Sequence, residues 1–488
     1  MPPKRRRSSA DEHTPLPVSK RTRTRHPDDH FSHLSDELLV RILHLLPIQS
    51  LVQCQRLSHR FYTLTGDSQI WKNLYYTRFV LPRALRIPGI KSAQRDEALN
   101  FSSRRSRWLG EDALVNPVDG KKTNWKGQYK LRHNWSIGVC EIQEIHVADR
   151  PAVPSMQVKL AEKVVVTADK EEGLRAWGLK EKALMARYRL EGDLAPTCLA
   201  VDEQHADSGL GIAVGFMDGG WGVWTLDVKE RKFIPVYKHP ESSNGRLDAI
   251  AYARPYVLTI TDSQLLSLYT FPRAQSSPHA PPPRLLTSLK SHTSWPPLSL
   301  SLRPTPTHLL ASIAYTIPLY PTGYTIGLQE LHLSPSTNTL TSSRLASALP
   351  QGFSPSASLP RALPARPTSL SYAHPYILST HADNTLALHL CTSSASTLTL
   401  SPATRLWGHT AGVSAAQISA RGKAVSVSAY GGEVRVWELE GGKRRDGAGR
   451  SVKVGSGGPG RRWVGFDEEV VVVLEEGGGM VLAVHDFR

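Results

Sequence analysis

The chain has 488 residues, 59 Lys and Arg against 43 Asp and Glu, and a formal net charge of +16 at pH 7. This length accommodates two to four domains. The longest aliphatic run, residues 470–474, is far too short for a membrane span, and no apolar stretch follows the charged N-terminus as a secretory signal would require. Cys54, Cys140, Cys198 and Cys391 lie far apart without paired metal-ligand spacing, which indicates a reducing, intracellular compartment.

The basic excess is concentrated near the N-terminus. Residues 1–30 carry a net charge of +4 and residues 31–133 carry +9, which leaves +3 for the remaining chain. The first segment has no hydrophobic periodicity, so we predict a disordered basic tail over residues 1–30. Its clusters at residues 4–7 and 20–25 are typical of nuclear import signals and also of ordinary basic tails. We therefore expect an intracellular protein, nuclear or cytoplasmic.

The segment over residues 33–79 carries more apolar helix surface than a unit of that size can bury by itself. Its first apolar run fills an arc of roughly 160° on a helical projection, wider than the ~100° stripe that faces a single core. Ser35 is a good N-cap for this helix, and Asp36 and Glu37 complement the positive end of its dipole. Pro47 ends the helix and can start the next one. Part of this apolar surface is expected to face a second molecule.

These residues resemble the F-box family, although Ser35 stands where the family usually has proline. F-box segments are three-helix units that bind the Skp adaptor of cullin–RING ubiquitin ligases. The matching positions are Leu34, Leu38, Leu39, Ile42, Leu45, Leu46, Pro47, Leu51, Leu57, Ser58, Phe61, Ile70 and Trp71.

The resemblance implies an F-box over residues 31–79. All of the matching positions except Leu45, Leu46, Ser58 and Ile70 are assigned to the adaptor-binding surface and the small core beneath it. The sequence does not separate the contact residues from the core residues. The alternative is a helical bundle that packs entirely on its own chain.

Residues 80–133 combine prolines, scattered arginines and the aromatic residues Trp108 and Trp125. We predict a partly helical linker that lies against the next domain through its aromatic side chains.

From residue 134 onward, short runs of β-branched and aromatic residues alternate with turn residues, which is typical of β-strands. The clearest unit resembles a WD repeat, in which a Gly-His dipeptide and a strand-ending Trp-Asp are characteristic. In this unit His409 provides the first mark, but Glu438 replaces Asp after Trp437, and Gly431 replaces the common turn Asp. Whether this unit has the His–Asp hydrogen bond that often braces such blades stays open. Its three strands are predicted at residues 412–418, 424–429 and 433–439.

Third strands of this kind recur seven times, 44 to 61 residues apart, which fits WD-type blades of about 40–45 residues with insertions. Asp169, Asp218, Asp262 and Asp383 each lie just before a third strand, at the turn where the family often has Asp. We therefore predict an all-β, seven-bladed, WD-repeat-like β-propeller with degenerate repeats over residues 134–488. The third strands are predicted to start at Leu174, Trp221, Leu265, Tyr324, Thr385, Val434 and Met480.

The two ends of the predicted propeller are expected to meet in one blade. The last third strand runs to the C-terminus, so its blade lacks an outer strand, and residues 138–146 are available to supply it. Ring closure of this kind removes exposed strand edges. Within the ring, residues 272–405 are rich in Ser, Thr, Pro and Leu. We predict long loops at residues 281–283 and 349–367, both between blades four and five.

Candidate substrate-binding residues lie where an outer strand leads into the next blade, because propellers bind partners mainly at that rim. The candidates are Arg246, Trp295, Arg361, Arg366, Arg461 and Arg462. Guanidinium groups bind phosphate bidentately, so an acidic or phosphorylated segment of a substrate protein is a fitting ligand. The alternative is that these arginines are ordinary solvated loop charges.

The sequence contains no Gly-x-x-x-x-Gly-Lys loop, no Gly-x-Ser-x-Gly elbow and no His-Glu-x-x-His pair. We therefore predict no catalytic residues, no metal and no cofactor. The resemblance implies a non-catalytic, substrate-recognition subunit of an SCF-type ubiquitin ligase, which binds a Skp-type adaptor through the F-box and an unknown protein substrate through the propeller. The alternative is a non-ligase nuclear scaffold whose basic N-terminal third contacts nucleic acid or chromatin.

Overall fold

The computed structural model describes residues 30–81, 124–202, 209–272, 282–291, 294–305, 308–319, 323–334, 339–348, 365–394, 396–430, 432–439, 450–456 and 460–488. Almost all of the predicted basic tail and residues 82–123 of the predicted linker lie outside these ranges. The chain divides into two compact units, Met1–Leu74 and Tyr75–Arg488. In the described part of the chain, no helix is long and apolar enough to cross a membrane.

The first unit contains four short α-helices where three were expected. Gly66 and Asp67 separate the last two, because the Asp67 carboxylate accepts a hydrogen bond from the Gln69 amide (2.7 Å) and so starts a new helix. A short 3-10 turn, His30–His33, precedes the first helix. The helices are α1 (Asp36–Leu43), α2 (Ile48–Cys54), α3 (His59–Thr65) and α4 (Ser68–Tyr75).

Helix caps in this unit agree only partly with the sequence-based expectation. Ser35 occupies the N-cap position of α1, but its side chain makes no capping hydrogen bond. Ser58, in contrast, caps α3 by accepting a hydrogen bond from the Phe61 amide (3.2 Å). Pro47 lies between α1 and α2 with extended backbone angles, as the ring-fixed φ of proline favours before a new helix.

The second unit begins with a π-helical turn, Tyr76–Val80, and includes helix α5 (Trp125–Ile137). Asn124 caps α5, and Gly138 ends it with a φ of +77°, a conformation that glycine adopts without strain. The helix therefore continues past residue 134, where we expected the β-domain to begin. Trp135 makes an aromatic contact with the propeller: its ring stacks on that of Phe487 at 4.1 Å between centroids. The ring of Trp125 lies against Tyr75 and Tyr76, and Trp108 lies outside the described residues.

Seven sheets follow, and each has the up-and-down order of a propeller blade. Blade one consists of β2 (Gln157–Ala161), β3 (Val164–Asp169), β4 (Gly173–Gly178) and β5 (Ala183–Tyr188). Blade two consists of β6 (Pro196–Asp202), β7 (Leu210–Phe216), β8 (Trp221–Asp227) and β9 (Lys232–His239). Blade three consists of β10 (Leu247–Ala253), β11 (Tyr256–Thr261), β12 (Leu265–Thr270) and β13 (Arg284–Lys290).

Blade four consists of β14 (Trp295–Pro304), β15 (Leu309–Pro318), β16 (Tyr324–Ser334) and β17 (Thr339–Ser347). Blade five consists of β18 (Ser369–Ala373), β19 (Tyr376–Thr380) and β20 (Leu386–Ser393), and its outer strand is divided into β21 (Leu398–Leu400) and β22 (Thr404–Leu406). Blade six consists of β23 (Val413–Ile418), β24 (Lys423–Ser428), β25 (Glu433–Glu438) and β26 (Arg450–Ser456). Blade seven consists of β27 (Arg461–Phe466), β28 (Val470–Glu476), β29 (Met480–Asp486) and the first strand in chain order, β1 (Glu141–Ala148).

The prediction of seven blades is confirmed, and so are all seven third strands, which are β4, β8, β12, β16, β20, β25 and β29. Ring closure is confirmed as well: β1 pairs antiparallel with β29, with Ile142 opposite His485 and His146 opposite Val481. One loop prediction is wrong. Residues 281–283 lie between β12 and β13, inside blade three, because the strand after the proline-rich stretch pairs back onto β12. Residues 349–367 do fall between blades four and five.

The propeller core consists of seven hydrophobic clusters, and each lies between two neighbouring blades. The cluster between blades seven and one includes Ile145 of β1 and Leu482 of β29, so the closing strand pair is also a packed interface. Leu131 and Trp135 of α5 belong to the cluster between blades six and seven. The ring is therefore closed by packing as well as by strand pairing.

Candidate functional site

The nine residues predicted for the adaptor-binding surface and its core fall into three groups. Three are core: Leu39, Leu51 and Trp71 are exposed by 1%, 0% and 4% of their surface, so they belong to the small core that was predicted beneath the binding surface and not to the surface itself. Leu34 and Phe61 are half-buried. The remaining four are exposed, and they are Leu38, Ile42, Pro47 and Leu57.

The exposed apolar residues of α1 form a stripe together with Leu45, which was not among the nine predicted residues. Leu38, Ile42 and Leu45 follow one another at the spacing of one helix face, and Leu45 is 86% exposed. Val52 of α2 and Leu57, just before α3, add exposed apolar surface. Both were recoverable from the sequence, because Leu45 is itself a matching position and Val52 directly follows the matching Leu51.

Polar contacts hold the helices beneath this apolar stripe in place. The Arg60 guanidinium of α3 donates to the Asp36 carboxylate at 2.7 Å and to the backbone oxygen of Leu34 at 2.6 Å, which ties α3 to the start of α1. The Trp71 indole donates to the backbone oxygen of Thr65 (2.7 Å), which joins α4 to α3. The stripe is thus presented by helices that are linked to one another.

The predicted basic residues of the propeller rim are mostly engaged with acidic neighbours. Arg246 donates to Asp248 at 3.1 Å. Arg461 was predicted at a substrate-facing rim, but it is only 1% exposed and pairs with Glu475 at 2.9 Å, so that prediction is wrong. Its position at the first residue of the inner strand β27 explains the burial. Arg462, the next residue, is exposed and pairs with Glu476 at 3.2 Å. Arg361 lies outside the described residues.

Trp295 and Arg366 are the two predicted rim residues that the structure brings together. Trp295 begins the inner strand of blade four and is 46% exposed. The exposed guanidinium of Arg366 donates two hydrogen bonds to the backbone oxygen of Pro296, at 2.9 and 3.2 Å. The chain after β17 therefore returns to the rim beside Trp295.

In blade six, Glu433 lies beside His409, where a His–Asp hydrogen bond often braces blades of this kind. The Trp437 indole donates to the Ser426 hydroxyl (2.7 Å), which lies 2.6 Å from His409 Nε2, while His409 Nδ1 lies 3.4 Å from Glu433 Oε2. Burial, with a contribution from nearby Arg435, lowers the pKa of His409 to about 4. A neutral histidine therefore contacts Ser426 through Nε2 and faces Glu433 with Nδ1, and this glutamate lies where a turn Asp would be expected.

A second buried polar cluster joins blades four and five. The Glu330 carboxylate is fully buried, accepts a hydrogen bond from the Ser393 hydroxyl (2.7 Å) and lies 3.5 Å from the Arg303 guanidinium. Ligand atoms of His374 and Cys391 lie within 4.8 Å of the carboxylate and of each other. Because Arg303 already supplies the positive charge beside Glu330, we interpret this cluster as an ionic brace between blades.

Comparison with known proteins places both units. A family model described as the β-propeller of F-box protein pof12 matches residues 140–456, and an F-box-like model matches residues 31–77. F-box protein dre-1 of Caenorhabditis elegans is 38% identical over 47 residues, which make up 10% of this chain and 5% of that protein. The chain thus matches about a twentieth of the length of that curated relative.

Solved propellers are similar at low identity. The WD40 β-propeller domain of Doa1 is 11% identical over 70% of this chain and 95% of its own, with a TM-score of 0.41. BamB from Moraxella catarrhalis is 10% identical over 71% and 100%, with a TM-score of 0.41. The Cps50 (Swd1) β-propeller of Myceliophteria thermophila is 12% identical over 70% and 99%, with a TM-score of 0.42. Because the pof12 propeller model covers more than half of the chain, this chain belongs to that family of F-box proteins.

Proposed function

We propose that this protein is the substrate-recognition subunit of an SCF-type ubiquitin ligase. In this proposal the F-box binds a Skp-type adaptor and the propeller binds the protein to be ubiquitinated. The observation that carries the proposal is the exposed apolar stripe of Leu38, Ile42 and Leu45, to which the same small helical unit adds exposed Val52 and Leu57. Exposed apolar surface of this kind is typical of protein-interaction sites.

The proposed contribution to ubiquitin transfer is positional. A receptor that holds a substrate and a ligase module together raises the effective concentration of the substrate lysine near the ubiquitin-conjugating enzyme. No side chain of this protein has to take part in bond formation, so the proposed role is non-catalytic. The proposal includes an intracellular location, where the adaptor is available.

The adaptor contact can be tested with a double substitution, Leu38→Asp and Ile42→Asp, in the full chain. Each buried large apolar side chain contributes about 1.5–3 kcal/mol to an interface. We therefore expect pulldown of a purified Skp-type adaptor to be lost. The matched control is Ser68→Asp with Gln69→Asp, which adds the same charge at two exposed positions where the start of α4 tolerates it.

Retained adaptor binding in the Leu38/Ile42 double variant would overturn the proposed function, and so would equal loss in the Ser68/Gln69 control. Adaptor and cullin that co-purify with the chain and resist nuclease treatment would support the ligase role over a nucleic-acid scaffold. Binding to DNA that falls steeply with salt, without any adaptor, would favour the scaffold.

A further inference from the structure

Blades three and four leave an open groove between them. Its volume is about 440 Å³, which is enough for one or two large side chains. The third and outer strands of both blades form most of its walls, together with Ser291 and Ser294 between β13 and β14. The lining residues are Ile260, Leu266, Leu289, Lys290, Ser291, Ser294, Ile313, Gln329, Ser343 and Leu345.

The groove is apolar at its base and along its walls. Ile260, Leu266 and Ile313 are buried and belong to the cluster between these two blades. Leu289 of β13 is half-buried, and Leu345 of β17 is 62% exposed. A ligand side chain between these two leucines would cover apolar surface that the described chain leaves exposed.

A positive charge lines the groove. Lys290 is exposed and is the charged residue among the described residues that line it. In blade three, the Asp262 carboxylate lies 4.0 Å from the Arg246 guanidinium. Glu330 and Asp383 are the acids of residues 272–405. Glu330 is buried beside Arg303, and the Asp383 carboxylate accepts two hydrogen bonds from Thr385 in a turn of blade five. An acidic ligand therefore meets a positive charge at this groove.

The groove also continues to the rim residues described above. Ser294, which lines it, is followed directly by exposed Trp295, and the backbone oxygen of Pro296 holds the Arg366 guanidinium. Lys290, Trp295 and Arg366 thus lie along one connected stretch of the rim.

We propose that the groove binds an extended segment of the substrate protein. One large aliphatic or aromatic side chain of that segment enters between Leu289 and Leu345, and an adjacent acidic residue faces Lys290. The alternation of side chains in an extended peptide suits such a pairing of pocket and charge. This inference rests on the proposed function, because it names the substrate class that the propeller of a ligase receptor would select.

The test uses the full chain and two labelled pools of synthetic peptides. Both pools carry a central Leu or Phe, and the flanking positions are Glu in one pool and Lys in the other. Fluorescence anisotropy measures binding of each pool, and a labelled DNA duplex serves as a third probe. We expect the Glu pool to bind more tightly than the Lys pool.

Three variants assign the binding to the groove. Lys290→Glu should reduce the preference for the Glu pool by about fivefold, the size of one exposed charge pair. Arg284→Glu, the matched control, changes the same charge at the opposite end of β13 and should leave the preference unchanged. Leu345→Asp should weaken both pools by more than about tenfold, because it removes one apolar wall.

Several results would overturn the groove assignment. One is equal behaviour of the Lys290 and Arg284 variants, which would indicate long-range charge alone. Another is a wild-type chain that binds neither pool but still binds the adaptor, in which case the proposed ligase role stands. DNA binding that Lys290→Glu removes, without peptide binding, would assign the groove to nucleic acid. A wild-type chain that does not bind the adaptor would instead overturn the proposed function, whatever the result with the peptides.

Discussion

The helical unit and the propeller differ in how far they bury their apolar side chains. The helical unit has four helices of seven or eight residues, and it leaves Leu45 86% and Leu57 65% exposed. The propeller packs its apolar residues into seven clusters between blades and closes its ring with β1 against β29. The difference shows that a closed ring buries most of its apolar side chains between blades, whereas four short helices have too little core to do so.

The two units also differ in where their exposed apolar residues lie relative to the buried ones. In the propeller, exposed apolar residues such as Leu345 and Trp407 lie on an outer strand and a loop, outside the packed clusters. In the helical unit, exposed and buried leucines alternate within one helix, as Leu38 and Leu39 do. A substitution in the helical unit can therefore affect either folding or partner binding, depending on which of two adjacent positions it changes.

The largest expected effect comes from opening the ring. Ending the chain at Glu476 removes β29, so that β1 loses its strand partner, β28 loses one of its two partners, and Trp135 loses the ring of Phe487. We expect loss of the cooperative unfolding transition of the propeller and formation of aggregates through the free strand edges, measured by calorimetry and size-exclusion chromatography.

The control for this truncation is removal of Arg488 alone. Its ion pair with Asp486 is partly exposed, so we expect a cost below about 1 kcal/mol. A truncated chain that elutes as a monomer and unfolds at the wild-type temperature would contradict the importance of ring closure.

A pair of leucines in the helical unit gives the next largest effect. Leu51 is fully buried, so Leu51→Ala should destabilise this unit by about 2–5 kcal/mol. Leu45→Ala should change stability by less than about 0.5 kcal/mol, because the side chain already faces solvent. Hydrogen exchange of residues 30–74 measures the first effect, and adaptor pulldown should detect weakened binding in the Leu45 variant. Equal exchange in both variants would show that the two positions do not differ as the structure indicates.

The smallest effect concerns pH. Burial lowers the pKa of His409 to about 4, whereas the unfolded chain takes up this proton near its ordinary value of about 6.5. The unfolded state therefore binds more protons between these values, and the free energy of unfolding should fall as the pH falls from 6.5 to 4. Between pH 7 and pH 5 we expect a decrease of about 2 kcal/mol from this histidine.

Urea unfolding at pH 7 and pH 5 measures this dependence. His409→Gln should reduce the slope but not remove it, because burial also lowers the pKa of His374 and His485 to about 4. His146→Gln is the matched control, since that imidazole is largely exposed. An unchanged slope in the His409 variant would contradict the neutral, buried state of this side chain.

Much of the propeller was predictable because its signals are local in the chain. The alternation of side chains and the Asp residues at turns locate all seven third strands, and the missing outer strand of the last blade predicts closure by residues 138–146. The same kind of signal locates the helical unit, through the apolar runs on either side of Pro47. The division of α3 and α4 at Gly66 was harder, because one short break changes little in the hydrophobic pattern.

Other features depend on residues that are distant in sequence, and only the tertiary structure decides them. Leu38 and Leu39 have the same chemistry, and their exposure follows from which side of α1 packs on the other helices. Arg461 is buried because its strand lies at the inside of blade seven, and Glu433 replaces a missing Asp because its side chain reaches His409. The groove beside Lys290 exists only where two blades meet. Periodicity along the chain therefore determined which elements form, whereas burial and the pairing of charges were decided by the contacts between those elements.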